Sequence, residues 1–162
     1  MALVTGPFTI KYGANTLTDV SAITWNYSAN STQPTTIDGR TYDIPTTTSA
    51  AITITLLGAS IDILSSIFPR YAVAAGGTMS TGETTTKAAF DLTAAGACGS
   101  TELKDDVEII GCEITTRLVN ASARISAIEY QDNVVQTVQV TFTGTPEQGE
   151  GVIQMYENGS LS

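Results

Sequence analysis

The segment that most constrains the fold is residues 49–71, SAAITITLLGASIDILSSIFPRY. Its first part places Ile52, Ile54 and Leu56 at every second position, with threonine between them. This two-residue period is typical of a pleated strand with one buried face. Gly58 then ends the pattern, so the segment predicts a strand before the glycine and a different element after it.

The part after Gly58 predicts one short helix. Ser60 is a residue type that caps helices, because its hydroxyl can accept a hydrogen bond from a free N–H group of the first turn. Pro69 ends the helix, since it lacks an N–H group and restricts the residue before it. The apolar face of the helix would consist of Ile61, Leu64, Ile67 and Phe68. Since no other segment has a comparable helical pattern, we expect a mainly β protein, a β-sandwich or barrel, with one short packed α-helix.

Length and composition fit a single domain over residues 1–162 with one sizeable core. Charged residues make up 14% of the chain, against about 25% in typical soluble domains. The net charge of −9 would repel the phosphates of nucleic acid and of anionic lipid surfaces. Composition therefore argues against nucleic-acid and membrane binding. It suits a surface covered by copies of the same chain, or alternatively a threonine-rich secreted β domain.

The last third of the chain predicts a β-hairpin. Residues 118–131 and 134–143 flank Asp132-Asn133, and a two-residue turn at that dipeptide would set the register. The expected pairs are Gln131 with Val134, Ala127 with Val138, Ile125 with Val140, and Ala123 with Phe142. The opposite face of the second strand carries Thr137, Gln139, Thr141 and Thr143. A helix over residues 118–128 is the alternative, because its apolar residues also fit a helical stripe.

Shorter patterns predict the remaining strands. They are expected at residues 8–12, 20–27, 88–92 and 152–156. Trp25 lies on the apolar face of one of these strands, and we expect it to anchor the core. The rest of residues 72–103 is rich in glycine, alanine and threonine and is expected to be loop, and residues 157–162 form a polar tail.

Residues 28–48 predict a long projecting loop, which we call the arm. The segment is polar and contains Asp38-Gly39, a strong signal for a two-residue type I′ turn. Residues 35–37 and 40–42 would form the strands beside that turn. Because an isolated two-stranded hairpin is marginally stable in water, we expect the arm to need a partner surface.

The two cysteines point to different surroundings. Cys112 lies in the apolar run of residues 107–114 and is expected to be a small core residue. Cys98 lies in a loop rich in glycine and alanine, and a disulfide between the two would require an oxidising compartment. The sequence leaves open whether they are bonded.

The chemistry available for catalysis is sparse. The chain has no histidine, which excludes the Ser-His-Asp and Cys-His arrangements and the commonest metal ligand. The densest carboxylate cluster, Asp105, Asp106 and Glu108, is expected to be a solvated turn, since it lacks the alternating ligands and glycine of a calcium loop. We therefore expect no enzymatic activity, no cofactor and no metal site.

The order of these elements resembles the phage tail tube proteins, also called major tail proteins. The resemblance is carried by a strand at residues 23–27, the arm at residues 28–48, a strand at residues 50–57 and the helix at residues 60–68. It implies a β-sandwich or barrel with the helix packed on its outside. It also implies hexameric rings whose inner sheets join into one lumen-lining barrel, with the long loop of each subunit reaching a neighbouring ring. Residues 72–103 have no clear counterpart in that pattern.

The resemblance implies a structural protein of the virion tail, synthesised in the host cytoplasm, with itself and other tail proteins as partners. DNA would pass through the lumen without specific binding. An acidic lumen would repel phosphate at close range, and faces of threonine, glutamine and asparagine would offer neutral, hydrated walls. The residues expected to face the lumen are Thr137, Gln139, Thr141 and Thr143, an ordinary solvent-facing strand being the alternative. The residues expected to contact other subunits through the arm are Thr35, Ile37, Asp38, Gly39, Arg40 and Tyr42.

A binding module is the second hypothesis. A non-enzymatic β-sandwich such as an adhesin, a capsid decoration domain or a carbohydrate-binding domain would be a stable monomer. It would expose Trp25, Tyr27 or Tyr42 as an aromatic platform for its ligand.

Overall fold

The chain folds into ten strands and one α-helix in a computed structural model that describes residues 7–58, 60–92, 103–131 and 134–161. The strands are β1 (Thr9–Tyr12), β2 (Asn15–Leu17), β3 (Val20–Thr32), β4 (Ile44–Leu57), β5 (Ala72–Val73), β6 (Ala89–Phe90), β7 (Lys104–Ile110), β8 (Ile114–Gln131), β9 (Val134–Gly144) and β10 (Ile153–Glu157). The helix α1 spans Ile61–Ile67 and is followed by a 3₁₀ turn at Pro69–Tyr71. The expected mainly β fold with one short helix is confirmed.

Eight strands form one antiparallel sheet in the order β2-β1-β7-β8-β9-β4-β3, with β10 paired to β8 beside β9. The long strand β8 belongs to two layers. Its first part pairs with β7 and β10, and its second part pairs with β9. Asn120, at the junction, has a left-handed φ of 50°, and the β7–β8 register shifts at the same place. Such a bulge bends a strand. Here it turns β8 from one layer, which we call the outer layer (β2, β1, β7, β10 and the first part of β8), into the other, which we call the inner layer (β3, β4, β9 and the second part of β8).

The sheet folds over one hydrophobic core. Tyr12 of β1 and Phe142 of β9 have ring centroids 4.9 Å apart, although β7 and β8 lie between their strands in the sheet. In a flat sheet the spacing would be about 14 Å, at about 4.8 Å per strand, so the layers must face each other. The Tyr12 hydroxyl lies 2.9 Å from the carbonyl oxygens of Leu103 and Ala121 and ties the layers together. Trp25 is half-buried and packs against this core, as expected.

The helix α1 covers the core as its sequence pattern predicts, with one exception. The Ser60 hydroxyl accepts a hydrogen bond of 3.3 Å from the Ile63 N–H group, and Leu64, Ile67 and Phe68 are buried. Ile61 was expected on the same face but is exposed. It lies in the first turn of the helix.

The β8–β9 hairpin confirms three of the four expected pairs. Gln131 pairs with Val134, Ile125 with Val140 and Ala123 with Phe142, and the helical alternative for residues 118–128 is excluded. Ala127 does not pair with Val138, because a register shift after Ile125 places Ile128 opposite Val138 and Ala127 opposite Gln139. The dipeptide Asp132-Asn133 lies outside the described residues.

The arm is a β-hairpin rather than a loop for much of its length. β3 and β4 stay paired from Val20 and Leu56 to Thr32 and Ile44, whereas the last pair of β4 with β9 is Ala51 with Thr143. The hairpin therefore extends roughly 20 Å past the end of β9, at about 3.3 Å per residue. Threonine-rich sequence favours this extension, because threonine is a good strand former.

The weakly patterned middle of the chain contains a second, two-stranded sheet. β5 and β6 pair through Ala72 with Phe90 and Val73 with Ala89, which confirms a short strand within residues 88–92. The Phe90 ring packs edge-on against Phe68 and Tyr71 and so attaches this sheet to the end of α1. The strand expected near the C-terminus is confirmed as β10.

Cys112 is not a core residue. It lies in the turn between β7 and β8 and is exposed, because the apolar run of residues 107–114 is interrupted there by a hairpin. Cys98 lies outside the described residues.

Candidate assembly surfaces

The tip of the arm is braced by its own hydrogen bonds. The Gly39 N–H group donates to the Thr36 carbonyl at 2.9 Å, and the Thr36 N–H group donates to the Arg40 carbonyl at 2.8 Å. Gly39 has a left-handed φ of 82°. This pattern is a three-residue turn over Ile37, Asp38 and Gly39 rather than the expected two-residue turn at Asp38-Gly39.

The side chains at the tip point to solvent or pair locally. Ile37 is 110% exposed, while Arg40 and Asp38 form an exposed ion pair of 3.3 Å between Nε and Oδ2. The Thr36 hydroxyl also donates to Asp38. Thr35 forms a bridge with Thr41, and the Tyr42 N–H group donates to the Pro34 carbonyl at 3.2 Å. The structure thus brings all six expected arm residues to one exposed tip.

The inner layer, β3, β4, β9 and the second part of β8, has one face on the core and one open polar face. Thr137, Gln139, Thr141 and Thr143 lie on the open face and are half-buried by their neighbours. Thr141 pairs with Thr53 of β4, and their hydroxyl oxygens are 3.2 Å apart. On this face, among the described residues of the four strands, the charged side chains are Arg124 and Glu129. The described part of this face is therefore nearly neutral.

Both edges of the inner layer are open among the described residues. The outer edge of β3 is not paired with any described strand. On the side of β8 that faces away from β9, the last strand pair is Ser122 with Lys104 of β7, and the rest of that edge toward Gln131 is unpaired among the described residues. Open edges of paired strands present N–H and C=O groups that can pair with another chain. The two open edges lie on opposite sides of this four-stranded layer.

An apolar groove lies on the outer layer, and period-two patterning does not reveal it. Its volume is about 230 Å³, and its lining includes Phe8, Ile109, Ile114, Met155 and the turn at Gly111-Cys112-Glu113. Phe8, Ile114 and Met155 are 60%, 47% and 68% exposed. In the sequence these residues occur at three separate places, and strand pairing brings them together.

The carboxylate cluster is part of a strand and holds an arginine, so the expected solvated turn is wrong. In the outer layer, Arg117 Nη2 donates to Glu108 Oε1 at 3.1 Å and to the Tyr156 hydroxyl at 3.1 Å. Arg117 Nε lies 3.7 Å from Asp106 Oδ2. Burial lowers the pKa of Arg117, but the bond to Glu108 and the nearby Tyr156 and Asp106 outweigh it, so the net pKa is raised. Arg117 is therefore a permanent positive charge on β8 that bonds to Glu108 of β7 and to Tyr156 of β10 and so links the three strands.

The aromatic residues considered for a ligand platform, Trp25, Tyr27 and Tyr42, lie at two separate places. Trp25 and Tyr27 line an open groove of about 370 Å³ at the base of the arm. Tyr42 lies beyond the last strand pair of the arm, Thr32 with Ile44, whereas Trp25 pairs with Ile52. The three aromatic side chains therefore do not converge on one ligand.

In residues 7–58, 60–92, 103–131 and 134–161, no group of three or more carboxylate or thiol side chains is arranged to hold a metal ion. The same ranges contain no helix with the length and apolar character needed to cross a membrane.

Solved structures of other proteins share the fold of this chain. No protein-family model matches the sequence, and no curated protein matches it significantly. Among solved structures, the fold is similar to a chain of the PVC sheath–tube complex of an extracellular contractile injection system in its extended state. The TM-score is 0.54 with 14% identity over 93% of this chain and 88% of that one.

Two further structures share the fold. The PVC sheath/tube terminator of an extracellular contractile injection system has a TM-score of 0.58 and 12% identity, over 96% of this chain and 97% of that one. The tube-terminating cap of the anti-feeding prophage has a TM-score of 0.55 and 11% identity, over 97% and 95%. This chain therefore has the fold of components of contractile injection systems over nearly its whole length.

Proposed function

We propose that this protein is a non-enzymatic structural subunit of a phage-tail-type tube, assembling into stacked hexameric rings around a lumen. The observation that carries the proposal is the inner layer with two open edges, on a fold shared with proteins of sheath–tube, terminator and cap assemblies. The partners are copies of the chain and other tail proteins, and the place of action is the tail of a virion or a related injection machine.

The direction of the strands supports assembly into rings. β8, β9, β4 and β3 are antiparallel in turn, so the edge strands β8 and β3 run in opposite directions. The β3 edge of one copy can therefore pair in antiparallel fashion with the β8 edge of the next. Because the two edges differ, the contact is head-to-tail, and it generates a ring when the rotation between successive copies closes after a full turn.

The polar face supports the role of lumen wall. When edges join in a ring, the face with Thr137, Gln139, Thr141 and Thr143 becomes continuous from copy to copy. Hydroxyl and amide groups hydrate well and carry no charge to hold phosphate. DNA can pass along such a wall without specific binding, and the proposal needs no acidic lumen.

The arm supports contact between rings. It extends past β9 with few apolar side chains to pack against its own chain, and its tip residues, Thr35, Ile37, Asp38, Gly39, Arg40 and Tyr42, are exposed. A projecting two-stranded hairpin is only marginally stable in water by itself, so it is stabilised when a neighbouring subunit covers it. We assign these residues to the contact with the neighbouring ring.

The experiment that tests the proposal removes residues 31–42. Asn30 and Thr47, which pair in the intact hairpin, are then joined by residues 43–46, so the rest of the sheet is retained. The variant is expected to have the wild-type circular dichroism spectrum and to form rings but no tubes in sedimentation velocity. Tubes of wild-type length from the variant would show that the arm does not connect rings.

A further inference from the structure

We propose that the arm tip of one copy docks in the apolar groove of another, with Ile37 in the groove and Arg40 against Glu113 at its rim. The inference rests on the proposed function, because assembly brings the two copies together. It names the surface that receives the arm, which the resemblance in element order leaves open.

The groove is an uncovered continuation of the core face. Across the outer layer, Ile109 pairs with Thr116 and Thr116 pairs with Met155, so these three side chains lie in one row on one face. Ile109 is 8% exposed, whereas Met155 is 68% exposed. The row is therefore buried at its Ile109 end and open at its Met155 end, which produces an apolar patch of the kind that marks interaction sites.

The rim of the groove is held in place. The Gly111 N–H group donates to the Ile114 carbonyl at 3.0 Å, and the Asn158 amide donates to the Gly111 carbonyl at 2.8 Å. The Asn158 N–H group also donates to the Glu113 carbonyl at 2.8 Å. The turn carrying Glu113 is thus tied to the segment after β10, and the groove does not have to be ordered on binding.

The size of the groove fits a side chain rather than a free ligand. Its volume of about 230 Å³ is below the roughly 300–1,000 Å³ of pockets for small molecules. The matching group on the arm is Ile37, whose surface is fully exposed and has no apolar neighbour of its own chain to cover it. The braced turn at Thr36 to Arg40 presents this side chain in a fixed orientation.

Charge also favours this pair of surfaces. The rim carries the exposed carboxylate Glu113, and Glu157 pairs with Ile114 on the neighbouring strand. The tip carries Arg40, whose ion pair with Asp38 is exposed to water on both sides and so is weak. Arg40 can therefore leave Asp38 and turn to Glu113 of the rim, which places opposite charges across the contact.

Crosslinking through Cys112 tests the contact directly, because this cysteine lines the groove. The probe is I37C in a C98S background, assembled into tubes and oxidised with diamide, which takes up the two electrons and two protons released by each thiol pair. A disulfide needs Cα atoms about 4.4–6.8 Å apart. We expect a ladder of dimers, trimers and larger species on a non-reducing gel, since each copy would be linked through both its tip and its groove.

Two controls identify the bond. Adding C112S should remove the ladder, whereas a bond between two cysteines at position 37 would persist and stop at dimers. S31C in the same background places the thiol lower on the arm and should give no ladder. Separately, I37D and M155D should each reduce tube formation at least tenfold while leaving the folded monomer intact, and I37V should assemble normally.

The outcomes separate this inference from the proposed function. If wild-type protein forms tubes but I37C gives no ladder, or I37D assembles like wild type, the groove is not the docking site and the tube proposal stands. If wild-type protein forms neither rings nor tubes, the proposed function is wrong and the docking inference falls with it.

Discussion

Arg117 is the side chain on which the charged groups of the outer layer converge. It is bonded to Glu108 and Tyr156, and it lies beside Asp106. R117A would leave two partly buried carboxylates without their cation, so we expect a loss of about 1–3 kcal/mol in the free energy of unfolding. Urea denaturation at neutral pH measures this loss.

The matched control for this prediction is R124A. Arg124 lies exposed on the polar face of the inner layer. Its truncation should change the free energy of unfolding by less than about 0.5 kcal/mol. Equal effects of the two substitutions would contradict the assigned role of Arg117.

Asp91 gives the structure a local dependence on pH. The Ser80 N–H group donates to Asp91 Oδ2 at 2.7 Å, and this bond lowers the pKa of Asp91 below its ordinary value of 3.8. A lowered pKa means that the folded chain favours the charged carboxylate. The stabilisation is therefore present above pH 3.8 and is lost as the pH falls through the lower pKa of the folded state.

We expect hydrogen exchange at the Ser80 amide to show this dependence. Its protection factor should be constant above about pH 5 and should fall in more acidic solution. In D91N, protection at pH 6 should already be reduced, because an amide oxygen is a weaker acceptor than a carboxylate. Protection that is the same in both proteins at pH 6 would contradict the assignment.

The bend of β8 is the element that sets the arrangement of the two layers. Asn120 has a φ of 50°, and its side-chain amide donates to the Thr145 carbonyl at 2.9 Å. Valine strongly disfavours this conformation, whereas glycine adopts it freely. N120V should therefore lower the free energy of unfolding by about 1–3 kcal/mol more than N120G, which loses the same side-chain bond. Thermal unfolding of both variants checks the difference.

Sequence patterns predict those elements whose local signals agree with their packing. The strand–glycine–helix unit of β4 and α1 is predicted well, because its alternation and its cap are local properties of consecutive residues. The position of the turn predicts the β8–β9 register correctly near the turn and at the far end of the hairpin. It does not predict the register at Ala127, because a bulge there depends on how the strand curves over the core. The Asp38-Gly39 signal locates the arm's turn but not its type.

Sequence patterns predict less of the candidate surfaces than of the fold. The polar face follows from alternation along β9, whereas the apolar groove joins residues near positions 8, 112 and 155, which strand pairing alone brings together. Cys112 illustrates the same limit, since an apolar run does not reveal where a hairpin turn will expose its middle.

At the scale of the whole molecule, three sets of surfaces on one subunit depend on one another. The edges of β3 and β8 are assigned to contacts within a ring, the arm and the groove to contacts between rings, and the polar face to the lumen. Each assignment depends on the others, because the lumen face is continuous only in a closed ring. A monomeric binding module would leave all three surfaces exposed at once.

The most direct test of this claim is electron microscopy of the purified wild-type protein, in negative stain and then in class averages of end-on views. We expect rings with six-fold symmetry and a central hole, stacked into hollow tubes under assembly conditions of raised concentration and salt. A protein that stays monomeric under all these conditions would contradict assembly into a tube.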